Sequence, residues 1–151
     1  MDNQDTIDVL NTLIETSNDG ERGFRNVAEH VRSADLKTLF ATRANDCRQA
    51  SADLRAQVLA LGGDPETGGS ASGALHRGWV AVLGTLSGYS DKSLLEACEK
   101  GEDSAMERYR DALDEPLPDN IRLLVERQYE GVKRNHAQVR ALRDQARALQ
   151  S

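Results

Sequence analysis

The chain has 151 residues, with 19 Lys and Arg against 25 Asp and Glu, giving a formal net charge of −6. That length suits one ordinary domain with one continuous core, expected to span 1–151. The acidic balance works against a phosphate-binding surface, so nucleic acid is excluded as an expected partner. Only 4% aromatic residues and three prolines favour long solvated helices over a β-sandwich.

The first segment, Met1-Asp2-Asn3-Gln4-Asp5, lacks the basic and apolar regions of a secretory signal, and no apolar run approaches membrane-spanning length. The expected location is the cytoplasm, with no membrane partner. A first helix is predicted over about 6–32. Asp5 is its N-cap candidate, and Ile7, Leu10, Ile14, Ser17, Glu21, Phe24, Ala28 and Val31 recur at spacings of three and four. A second helix follows over about 34–61, opened by Ser33 and closed by Gly62-Gly63. Its stripe is Leu36, Phe40, Arg43, Cys47, Ala50, Leu54, Val58 and Leu61. The short turn between them makes the pair antiparallel neighbours.

From Asp64 the pattern changes to a Gly/Ser-rich stretch and then Ala74 to Leu83, read as a long crossover holding a short helix over about 72–86. Within it, Trp79 is expected to cover part of the core and His76 to anchor the segment. A third helix over about 91–114 starts near Ser90 or Ser93 and carries Leu95, Cys98, Glu102, Ala105, Tyr109 and Ala112. After Pro116-Leu117-Pro118, a fourth helix over about 118–149 carries Ile121, Val125, Gln128, Val132, Asn135, Val139, Leu142, Ala146 and Leu149. The late basic residues Lys133, Arg134, Arg140, Arg143 and Arg147 are read as a solvated helix face.

Two features stand out within this pattern. Gly-Glu occurs mid-helix twice, as Gly20-Glu21 and Gly101-Glu102, each glutamate on an apolar stripe where an unpartnered ionised carboxylate is costly. Mid-helix glycine also costs about 1 kcal/mol relative to alanine, and close approach of two helices would offset it. Counting from the turns at 1.5 Å per residue sets both glutamates at similar heights, opposite Arg43 to Cys47 on the second helix and Gln128 to Val132 on the fourth. Facing carboxylates require a shared cation, a shared proton or an intervening arginine, for which Arg43 and Arg48 are candidates. The expected polar layer is therefore Glu21, Arg43, Arg48, Glu102 and Gln128. Cys47 and Cys98 lack a C-x-x-C spacing and are read as buried free thiols. Tyr109 is read as a core residue with a satisfied hydroxyl.

Leu13-Ile14-Glu15-Thr16, Asp19 to Phe24, Gly73 to Trp79, Cys98 to Asp103 and Leu124 to Tyr129 together resemble an uncharacterised bacterial family of ferritin-like four-helix bundles, a domain of unknown function. The resemblance covers nearly the whole chain. It implies an all-α antiparallel bundle with a long crossover between helices two and three, and a bacterial stress setting.

In the wider superfamily, each of two helices gives one Glu and each of the other two a Glu-x-x-His pair to a di-metal site. Glu21 and Glu102 match the lone glutamates. Val27, Gly73 and Lys133 stand three residues before His30, His76 and His136, so Glu-x-x-His is absent from the sequence. The resulting expectation is a non-catalytic protein with a stress-associated or interaction role and no cofactor. Its expected partners are a second copy in a homodimer and an unidentified protein. The alternative is an iron- or manganese-binding oxidoreductase or storage protein using Glu21, Glu102, Gln128 and Glu130.

Overall fold

The computed structural model describes residues 2–66 and 90–150, and among these it contains four helices and no strand. They are α1 (Asn3–His30), α2 (Ala34–Ala60), α3 (Asp91–Leu113) and α4 (Asp119–Gln150). The short crossover helix expected over 72–86, with His76 and Trp79, lies outside the described residues.

Local chemistry sets each boundary. α1 starts before the predicted cap because Asp2, not Asp5, accepts a backbone hydrogen bond, from Asp5 N at 2.8 Å. Asp5 then stands in the first turn, where its charge complements the helix dipole. Ser33 caps α2 by accepting from Leu36 N at 3.3 Å, and Ser90 caps α3 by accepting from Ser93 N at 3.1 Å. Gly62, at φ 80°, supplies the left-handed residue after α2, a conformation that costs glycine least. Arg122 closes the α3–α4 connection by donating to the carbonyls of Leu113 at 3.0 Å and Glu115 at 2.5 Å.

Hydrogen bonds between elements give the topology. The Asp91 carboxylate accepts from Arg32 N at 2.8 Å and Ser33 N at 3.1 Å, joining the α1–α2 turn to the start of α3. α3 therefore runs antiparallel to α1 and parallel to α2. Arg43 on α2 reaches Asn135 on α4, whereas Ala50, two turns later, accepts from Gln128, so α2 and α4 are antiparallel. This is the arrangement that the long crossover was expected to produce.

The apolar stripes meet in two clusters rather than one continuous core. Ile7, Leu10, Leu13, Ile14, Leu54, Val58, Ile121 and Val125 belong to one. Phe24, Val27, Val31, Phe40, Leu94, Leu95 and Val139 belong to the other, where the rings of Phe24 and Phe40 stack with centroids 6.0 Å apart. Each fully buried Leu, Ile, Val or Phe side chain favours folding by roughly 1.5–3 kcal/mol. Between the two clusters, α1 presents Thr16, Ser17 and Gly20 and α3 presents Gly101 and Glu102, and there the interior turns polar.

Candidate functional site

A cavity of about 470 Å³ occupies this polar waist, with walls from all four helices. Phe24, Ala105 and Val132 make its apolar wall, while Arg43, Cys47, Glu102, Tyr109, Gln128 and Asn135 contribute polar groups. Asp46 and Arg134, both exposed, lie at its mouth.

Glu102 is buried at 4% exposure, and its Oε1 has no hydrogen-bond partner. Burial is the main influence pushing its carboxyl up to about 8; Arg43 opposes the rise, and Asp103 and Glu99 add to it. A buried acid that holds its proton at neutral pH avoids the desolvation cost of an ionised one.

Arg43 is a second buried charged residue lining the cavity. Its Nη1 donates to Asn135 Oδ1 and its Nη2 to Gln138 Oε1, two amides three residues apart on α4. Its ion-pair partner among the described residues is the exposed Asp46, 4.0 Å away. Its Nε is buried without a partner, and desolvation lowers the guanidinium's pKa while the Glu102 charge raises it. The long planar fork thus bridges α2 and α4 through neutral acceptors at the level of Glu102.

Further along the cavity, the Tyr109 hydroxyl donates to Gln128 Oε1 at 2.7 Å, and Gln128 Nε2 donates to the Ala50 carbonyl at 3.3 Å. Burial raises the Tyr109 pKa, and a hydrogen bond with Ser17 opposes that shift. Cys47 packs against Gly20, where an added Cβ would stand 3.0 Å from its Sγ. Burial first, then the neighbouring Glu102, Asp46 and Glu21 carboxylates, push that thiol up to about 12, so it is a poor nucleophile. Burial likewise raises the Cys98 thiol.

The structure brings Arg43, Glu102 and Gln128 to this cavity and sets Glu21, Arg48 and Glu130 outside it. Gly20, not Glu21, takes the core-facing position on α1; the next residue is turned by about 100°, and Glu21 pairs with Arg25 at 2.8 Å. Arg48 is exposed, one residue beyond the thiol-bearing face of α2. Glu130 is exposed and paired with Lys133 at 2.7 Å. The height expected opposite Glu102 on α4 also shifts, from 128–132 to Asn135 and Gln138. The connection 114–118 is centred on Pro116, but Tyr109 pairs with Gln128 and Asp103 with His136, so the first turns of α4 extend past the end of α3 and the level of Glu102 falls further along α4.

A second group of donors was not singled out from the sequence. Glu99 and Asp103 on α3 and His136 on α4 bring one ligand atom each within 4.8 Å of one another. An i, i+4 carboxylate pair on α3 was its readable signal, but the facing position on α4 depends on the turn geometry. His136 Nε2 and Asp103 Oδ1 are 2.5 Å apart, and Glu99 is engaged by Arg143 and, at 3.6 Å, by Arg140. With Glu96 paired to Arg147 at 3.2 Å, the group forms part of a ladder of pairs along the α3–α4 seam. Gln138 was also missed, since only its spacing from Asn135 marks it.

The donor set decides whether the cavity fits a di-metal centre. Such a centre takes four carboxylates and two imidazoles. Among the described residues, the cavity has one deeply buried carboxyl, Glu102, the carboxylates Asp46 and Asp53, a buried guanidinium and no histidine. A fixed cation among these groups opposes a second one, and the residues do not fit two metal ions.

The fold itself defines the class: this is a ferritin-like four-helix bundle. The bacterioferritin-related protein of Bacteroides fragilis, described as a dodecameric thioferritin, is 17% identical, with TM-score 0.78, over 99% of this chain and 91% of that one. A ferritin-like diiron-carboxylate protein from Bacillus anthracis is 16% identical, with TM-score 0.72, over 95% and 99%. The Dps protein of Staphylococcus aureus is 17% identical, with TM-score 0.75, over 93% and 95%. The family model for the domain of unknown function DUF2383 matches residues 5–115, and the chain belongs to that family. No curated protein sequence matches it.

Proposed function

We propose that this chain is a non-catalytic ferritin-like protein acting through binding or assembly, with an arginine-centred polar layer where its di-metal relatives hold metal. One observation carries this reading. The Arg43 guanidinium is held by Asn135 and Gln138, an i, i+3 pair on α4 at the height of the buried Glu102. Relatives with a di-metal site use that same i, i+3 spacing for Glu-x-x-His. Neutral amides in place of a carboxylate and an imidazole suit a guanidinium and give a metal little charge compensation. The buried layer then fixes the register of α2 against α4, a role known for polar groups in other helical assemblies.

Self-association belongs to the same reading. Leu59 near the end of α2 and Leu123 near the start of α4 are 62% and 61% exposed at one end of the bundle. Light scattering across a dilution series measures it, and a monomer at every concentration contradicts that part.

Metal analysis of the protein purified aerobically, before and after supply of iron or manganese, tests the central reading. The expected result is no stoichiometric metal dependent on Glu102. Stoichiometric iron or manganese that is lost in Glu102→Gln would overturn it.

A further inference from the structure

We infer that the waist cavity is a binding chamber for a small organic monocarboxylate, whose anionic end meets Arg43 and whose body lies against Phe24, Ala105 and Val132. The inference rests on the preceding reading that no metal pair fills this space. Three independent observations lead to it.

The first is charge. Arg43 is buried, yet the groups that hold its guanidinium are neutral amides, and its ion-pair partner among the described residues is an exposed aspartate 4.0 Å away. A buried cation is ordinarily accompanied by an anion that shares its hydrogen bonds, and guanidinium is well matched to carboxylate. Here one donor, Nε, is left without a partner. Glu102, buried at the same cavity, also keeps an unpaired oxygen. In its acid form it can donate to a bound carboxylate; in its ionised form it would compete with one.

The second is space. A volume of about 470 Å³ falls within the range of small-molecule sites, which combine apolar walls with a few convergent polar groups. This wall has that composition. A compact inorganic anion would leave the Phe24, Ala105 and Val132 side unfilled.

The third is Gly131. It stands mid-helix on α4 at the cavity wall, and an added Cβ would meet one neighbour within 4 Å, Arg134 Nη2 at 3.7 Å. Neither a clash nor a positive φ requires glycine there. What glycine supplies at this position is room.

Titration calorimetry of the full chain with benzoate tests the inference, with benzamide as the neutral analogue and inorganic phosphate as the compact anion. Benzoate is expected to bind saturably at one site per chain, at least tenfold more tightly than either comparator. Gly131→Leu, which fills the chamber, should weaken benzoate at least tenfold while the protein stays folded by circular dichroism. Arg43→Gln should weaken it by a similar factor. Absence of saturable binding, phosphate binding as tightly as benzoate, or benzoate affinity unchanged in Gly131→Leu would overturn the inference. Metal analysis of the same preparation separates the two readings. A metal-free protein that ignores benzoate rejects the chamber alone, whereas Glu102-dependent metal rejects the reading beneath it.

Discussion

The two Gly-Glu pairs are the same dipeptide at nearly the same height on antiparallel helices, and the bundle uses them oppositely. On α3, Glu102 faces inward and lies buried beside the cavity with an unpaired oxygen. On α1, Gly20 faces inward against Cys47, and Glu21 turns to the flank to pair with Arg25. One residue of helical phase, about 100°, separates a buried acid from a partly exposed ion pair. Which residue of each pair falls on the core face decides its electrostatics, and the motif itself does not.

The largest expected effect comes from Glu102. Its folded-state pKa of about 8 lies above the ordinary 4.5, so the folded chain holds a proton that the unfolded chain releases. This contribution is full below pH 4.5 and is lost as pH rises through 8, by up to about 5 kcal/mol. Denaturant unfolding of wild type and Glu102→Gln should therefore diverge over that window, with the variant gaining relative stability as pH rises. Parallel curves would place Glu102 in a solvated site.

Arg43→Met comes next, with an expected loss of about 3 kcal/mol at pH 7. It removes two charge-assisted hydrogen bonds and leaves the half-buried Asn135 without its donor. A loss below about 1 kcal/mol would mean that the guanidinium does not bridge the helices.

The glycines sharpen the contrast further. Gly20→Ala should destabilise by about 1 kcal/mol because its Cβ meets Cys47 Sγ, and the loss should vanish in a Cys47→Ala background. Gly131→Ala, with open space before it, should instead stabilise by about 1 kcal/mol. Equal effects at both glycines would erase the distinction drawn between close approach and vacant volume. The smallest change is Glu21→Gln, expected within about 0.5 kcal/mol because the pair with Arg25 is partly solvated. A loss of several kcal/mol there would return Glu21 to the interior.

The four helices were legible because their stripes are long and their caps chemically explicit: Ser33, Ser90 and Gly62 each stand where the chain turns. Arg43 and Glu102 were legible as polar residues on those stripes. Glu21 was misplaced because a glycine leaves the stripe ambiguous between two adjacent positions, and only packing against Cys47 resolves it. Gln138, Glu99, Asp103 and His136 depend on how α4 registers against α2 and α3, which the turn at 114–118 sets and periodicity does not.

Anomalous diffraction from crystals soaked in manganese(II) tests the arginine-centred layer most directly, because it locates bound metal where bulk analysis only counts it. The group of Glu99, Asp103 and His136 at the α3–α4 seam is thereby separated from the cavity. The account predicts no anomalous peak within coordination distance of Glu102, with Arg43 still held by Asn135 and Gln138. A pair of peaks beside Glu102 with Arg43 swung out of the layer would contradict it.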